Sequence, residues 1–117
     1  MTKRGKVKEE EINNVIALTI KERLLISQLY PRESSLTEQI IIRDISRKVE
    51  FSQKEQKEFG LKPIDKGFTW EPKKEVALQI DFTEMELNLL KDRIKKLDED
   101  KKITQQLVEL CLKIKNI

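Results

Sequence analysis

Apolar positions along the chain follow two periods, and the switches between them mark its elements. Val76, Leu78, Ile80 and Phe82 alternate with Ala77, Gln79 and Asp81, which predicts a strand over 76–82 with one face buried. Ile12, Asn14, Ile16 and Leu18 show a weaker alternation, a second strand candidate. Elsewhere the period is that of a helix. Ile20, Leu24, Leu25 and Leu29 form one stripe, and Leu36, Ile41, Ile42, Ile45 and Val49 a second. Leu87, Leu90, Ile94 and Leu97 recur at spacings of three, four and three, and Leu107, Leu110, Cys111 and Ile114 make the last stripe. The polar run DEDKK between these two predicts an antiparallel helix pair.

The helices share a starting device. Thr19 with Glu22, Ser35 with Glu38, Ser52 with Glu55 and Thr83 with Glu86 each set a hydroxyl three residues ahead of a glutamate. In such a capping box the hydroxyl accepts from an unpaired amide of the first turn, and the glutamate accepts from the amide of the capping residue. Each is worth about 1 kcal/mol. Thr104 is expected to cap the last helix. Tyr30-Pro31 should end the first helix, because the residue before a proline is pushed out of the α region. Gly60 is a left-handed cap for the short helix after Ser52, and LKPIDKG reads as a loop. Phe68 and Trp70 alternate with Thr69 and Glu71, predicting a strand that Pro72-Lys73-Lys74 turns into the 76–82 strand.

Ile12, Ile16, Leu18, Thr19, Glu22 and Leu25 match Val76, Ile80, Phe82, Thr83, Glu86 and Leu89 at a constant shift of 64 positions. Duplication and the chance recurrence of common helix starts fit that match about equally. The fold class predicted is α+β: four to five short helices packed on a small two- or three-stranded sheet. One domain spans 12–117 behind a charged arm, 1–11.

Charge changes the picture only at the N-terminus. The net charge is +3, from 24 basic and 21 acidic residues. Lys3, Arg4, Lys6 and Lys8 hold the excess; without them 20 basic residues face 21 acidic ones. These four are the candidates for contacting nucleic acid, with lesser clusters at Arg43, Arg47 and Lys48 and at Lys95, Lys96, Lys101 and Lys102. The bland reading of the clusters is solubilising charge and complements to helix dipoles.

The chemistry on offer is narrow. There is no histidine and only one cysteine, so histidine-based nucleophile systems and thiolate metal clusters have no residues to use. Gly5, Gly60 and Gly67 belong to no phosphate-cradling motif. Asp98, Asp100 and Glu109 match three positions of a calcium loop, but Lys102 and Ile103 stand where a ligand and the turn glycine are needed. Cys111, flanked by leucines, reads as a buried thiol, and the lone cysteine fits a reducing cytoplasmic setting. No apolar run is long enough to span a bilayer, and no cofactor is expected.

The remaining candidates are surfaces. Phe68 and Trp70, flanked by Lys66 and Lys73, sit on the expected hairpin, whose edges would accept a partner strand. The alternative for Trp70 is plain core cover beside Leu78. The stripe at 87, 90, 94 and 97 would serve a homo-oligomer seam or cover the domain's own sheet.

The stretches LTIKERLLISQLYP, EFSQKEQKEFGLK and FTWEP, followed by IDFTEMELNLLKDRIKKLDEDKKIT, resemble a group of small uncharacterised phage-encoded proteins. The shared order is an early T-x-x-E-R-L-L helix, an S-x-x-E segment, a tryptophan-bearing strand and a late F-T-x-x-E helix, over about residues 15–105. The resemblance implies a phage or mobile-element origin and carries over no site residues. The functional expectation is therefore a small non-enzymatic protein working through protein contacts, as an assembly accessory or a modulator of a host factor. A nucleic-acid-associated protein using the basic arm is the alternative.

Overall fold

A computed structural model describes residues 14–117. The candidate arm residues Lys3, Arg4, Lys6 and Lys8 lie outside them. The elements run β1 (Val15–Leu18), α1 (Ile20–Leu25), a 3-10 turn (Ile26–Leu29), α2 (Leu36–Val49), α3 (Gln53–Phe59), β2 (Lys62–Ile64) and β3 (Gly67–Thr69). A 3-10 turn (Pro72–Lys74), β4 (Leu78–Asp81), α4 (Glu84–Glu99), a third 3-10 turn (Gln105–Leu107) and α5 (Val108–Lys115) complete the chain. The fold class is α+β, with five α-helices and two antiparallel two-stranded sheets among the described residues.

The expected hairpin is corrected. β4 pairs with β1, not with the Phe68 strand, and Pro72–Lys74 is a 3-10 turn leading away from it. The true hairpin joins β2 to β3 through Asp65-Lys66, inside the stretch read as a loop. Pro63 misleads because proline usually stands outside a ladder, yet a two-stranded ribbon has outward-facing positions where no N–H is needed. The 76–82 strand contracts to Leu78–Asp81, leaving Val76 exposed.

Three capping boxes form as predicted, at Thr19/Glu22, Ser52/Glu55 and Thr83/Glu86. Ser35 accepts from the Glu38 amide without the reciprocal glutamate bond. Thr104 makes no side-chain cap; the last helix begins instead through a 3-10 turn. Gly60 closes α3 at φ 65°, a left-handed conformation that disfavours any residue with a Cβ.

Apart from its first pair, in which Ile12 lies outside the described residues, the 64-residue match is a structural repeat. Ile16 faces Ile80, its own counterpart, across the β1–β4 ladder, so a pseudo-twofold axis passes between them. Leu18 and Phe82, Leu25 and Leu89, and Ile26 and Leu90 are buried in pairs. A shift of one more residue continues the match into the second helix of each half. Ile42, Ile45 and Val49 of α2 correspond to Leu107, Leu110 and Ile114 before and within α5, all buried. Both halves are therefore strand, capped helix, loop and second helix, and nearly all of these residues share one core.

The same symmetry closes the edges of the core sheet. Lys113 donates to the Ala17 carbonyl at 2.8 Å and to Glu22 at 2.6 Å. Lys48 donates to the Asp81 carbonyl at 2.8 Å and to Glu86 at 2.6 Å. Ala17 and Asp81 are counterparts, as are Glu22 and Glu86. Phe82 donates to Asn14, so the register turns the carbonyls of residues 17 and 81 out of the ladder. Each lysine thus satisfies a buried capping glutamate and an outward carbonyl that a foreign strand would otherwise use.

Candidate functional site

The pseudo-twofold sets one groove between the two helices of each half. The first lies between α1 with its 3-10 extension and α2, at Leu24, Ser27, Tyr30, Ser46 and Val49, and holds about 410 Å³. The second lies between α4 and α5, at Lys91, Ile94, Cys111, Leu112 and Lys115, and holds about 510 Å³. Ser27 and Tyr30 correspond to Lys91 and Ile94; Ser46 and Glu50 correspond to Cys111 and Lys115. The first groove has further walls at Phe51 and, at the β2–β3 hairpin, Leu61, Pro63 and Phe68; the second adds Ile103 of the loop joining its helices.

Arg23 holds the Phe51 wall and the start of α3 that leads to the hairpin. Its guanidinium donates to the carbonyls of Val49 (3.1 Å) and Glu50 (2.7 Å) at the end of α2. It pairs with both oxygens of Glu55, at 2.9 and 3.1 Å, and stacks 3.9 Å from the Phe51 ring. A buried arginine is tolerable only with such extensive pairing. The Arg23 bonds hold the Glu55 carboxyl below its ordinary range, with burial opposing and Ser52 assisting. Glu55 also receives the Ser52 amide, so one carboxylate caps α3 and ties it to α1.

At the groove floor the Tyr30 hydroxyl is buried beside Ser46, and burial pushes its phenol up while Ser46 opposes. At the mouth stands Phe68, 46% exposed. Pro63 pairs opposite Phe68 and has no N–H to give. The ladder bonds must then run through the flanking pairs Lys62–Thr69 and Ile64–Gly67, which turns the amide and carbonyl of Phe68 outward. No third strand lies beside the hairpin among the described residues.

Trp70 falls just past β3 and is tethered. Its indole N–H donates to Glu75 at 3.3 Å, and the other Glu75 oxygen accepts from the Ile20 amide at the start of α1 at 2.9 Å. Of the two aromatic candidates, Phe68 is the more open. Tyr30, Phe51 and Arg23 were not singled out by the sequence. A charged residue among the apolar positions 20, 24 and 25 was the one available signal, since a buried arginine demands partners.

The lesser cationic clusters diverge. Lys48 is engaged inside the fold, and Arg43 pairs with Asp44 at 3.4 Å, both exposed. Lys101 takes a left-handed conformation, φ 58°, which ends α4 within the DEDKK run. Among the described residues no group of three or more carboxylates, cysteines or histidines could hold a metal ion, and no helix is long and apolar enough to cross a membrane. Set against known proteins, the chain matches no family model, no curated protein and no solved structure.

Proposed function

We propose that this is a small non-enzymatic protein of phage type that works in the cytoplasm by holding a partner protein. In this reading Phe68 and its hairpin are the contact. The observation carrying it is the half-exposed Phe68 at the mouth of an apolar groove, on a ribbon whose outer edge presents a backbone amide and carbonyl. The lysine closures on the core sheet favour the hairpin, since they leave it as the more accessible edge. An aromatic anchor beside open hydrogen-bonding groups is the arrangement that strand-adding partners use. An assembly accessory and a modulator of a host factor both fit this mode.

The test compares wild type, Phe68→Ser and a variant with alanine at Lys3, Arg4, Lys6 and Lys8. Each is used as bait in host lysate and titrated with nonspecific DNA and RNA at low salt. Protein contacts predict a captured protein that Phe68→Ser loses and the arm variant retains. A salt-sensitive nucleic-acid complex lost only in the arm variant would contradict it.

A further inference from the structure

We propose that the β2–β3 hairpin is a lid over the first groove, latched by Glu75 and able to swing open while the rest of the fold stays intact. Burial sets the hairpin apart from the core sheet. No residue of 61–70 is buried, whereas Ile16, Leu18 and Ile80 of β1 and β4 are. A segment with so little buried apolar surface belongs to the part of a fold that opens first. The hairpin is nonetheless a unit. Its register sets Lys62 against Thr69 and Ile64 against Gly67, and at its stem the Glu71 amide donates to the Phe59 carbonyl at 2.8 Å. It can turn about that stem without losing its own pairing.

The latch is a single carboxylate. One Glu75 oxygen accepts from the Trp70 indole at 3.3 Å, and the other from the Ile20 amide at the start of α1 at 2.9 Å. Among the described residues, hydrogen bonds reach from 61–70 to α1 and α2 only through Glu75. The apolar hold is partial, since Phe68 on the groove wall is 46% exposed. Closure also has a cost. The Tyr30 hydroxyl, in the same groove, is the one buried side-chain oxygen or nitrogen without a partner among the described residues. Buried and unpaired, it favours any state in which water or a bound polar group reaches it. Opening uncovers Leu24, Ser27, Tyr30 and Ser46 together, so the lid governs access to the groove floor. The inference concerns the hairpin's motion and holds whether or not a partner adds to its edge.

Trp70 is the chain's single tryptophan, so its indole N–H reads the latch in isolation. The test is hydrogen exchange of the 15N-labelled full chain as wild type, Glu75→Gln and Glu71→Gln. Each is then titrated with a small aromatic sulfonate dye that binds exposed apolar surface. In wild type the indole should be protected at least about tenfold less than the Ile16 and Ile80 amides. Glu75→Gln leaves one acceptor for two donors, and the shorter Ile20 bond keeps it. Indole protection should fall a further threefold to tenfold, roughly, and dye-induced shifts should emerge at Leu24, Ser27 and Ser46. Glu71→Gln alters an exposed carboxylate outside the latch and should do neither. An indole protected as strongly as Ile16 and Ile80 would mean that the hairpin opens only with the whole fold, and would overturn the proposal. So would a Glu75→Gln chain unchanged in both readouts, or a Glu71→Gln chain that matches it.

Discussion

Arg23 and Leu87 occupy equivalent positions in the two halves and are equally buried, 3% exposed each, yet they organise different surroundings. Leu87 joins the apolar core and asks nothing of its neighbours. Arg23 makes four hydrogen bonds, drawing in the end of α2 and Glu55 to accept them, and stacks on Phe51. With them come α3 and the hairpin that wall the first groove. Arg23 thus fastens Phe51 and α3 beside the first groove, and Leu87 makes no such contacts beside the second. The shared parts, strand pairing, capping boxes and lysine closures, set the frame; the unshared arginine marks where the halves take on different work.

The comparison is broken most severely at Arg23 itself. Arg23→Leu copies the second half but strands the Glu55 carboxylate and two carbonyls, so urea unfolding should show a loss of about 3–5 kcal/mol. A loss below about 1 kcal/mol would mean that α3 is held by other contacts.

The lysine closures test the symmetry. Lys48→Met and Lys113→Met each leave a buried glutamate and an outward carbonyl without their cation, at a cost of about 1–3 kcal/mol each. Similar losses are expected, because the contacts are the same to the tenth of an ångström; a large loss on one side only would show that the halves are not equivalent. Thr19→Ala and Thr83→Ala should each cost about 1 kcal/mol. Thr104→Ala, which removes no cap, should stay within about 0.5 kcal/mol in the same melts.

Acid should act through Glu55. Its folded-state affinity for protons is lowered, so its contribution is fully present above the ordinary carboxylate range and is lost as pH falls through the folded value. Wild type should therefore lose more stability between about pH 5 and pH 3 than Glu55→Gln does. Equal losses would show that Arg23 is not what lowers the Glu55 carboxyl.

Local patterns carried the helices and three of the capping boxes, because a cap and a stripe are decided within a few residues. The fold class followed from them. The pairing of β4 with β1 was out of reach, since strand partners 64 residues apart leave no mark on either strand's alternation. Pro63 hid the true hairpin for the opposite reason: its tolerance depends on which ladder positions face outward. Phe68 was legible as an exposed aromatic on a hairpin, whereas the groove beneath it was not. That groove exists only because Arg23 gathers Phe51 and α3 from 28 and more residues away, and nothing local in the sequence marks those partners.

The central claim is that the two halves are one repeat unit, with a groove walled by the chain's own hairpin in the first and, among the described residues, lined only by α4, α5 and the loop joining them in the second. Phe59 and Glu71 meet across a 2.8 Å backbone hydrogen bond, so a two-glycine bridge can replace residues 61–70 without moving α3. The deciding measurement is the 15N-detected titration of wild type and this deletion variant with a small aromatic sulfonate dye that binds exposed apolar surface. Wild type should shift at Ile94, Val108 and Leu112, and the variant should shift there and also at Leu24, Ser27 and Ser46, with β1 and β4 unperturbed in both. A variant that gains no second site between α1 and α2, or a wild type that binds no dye between α4 and α5, would contradict the account.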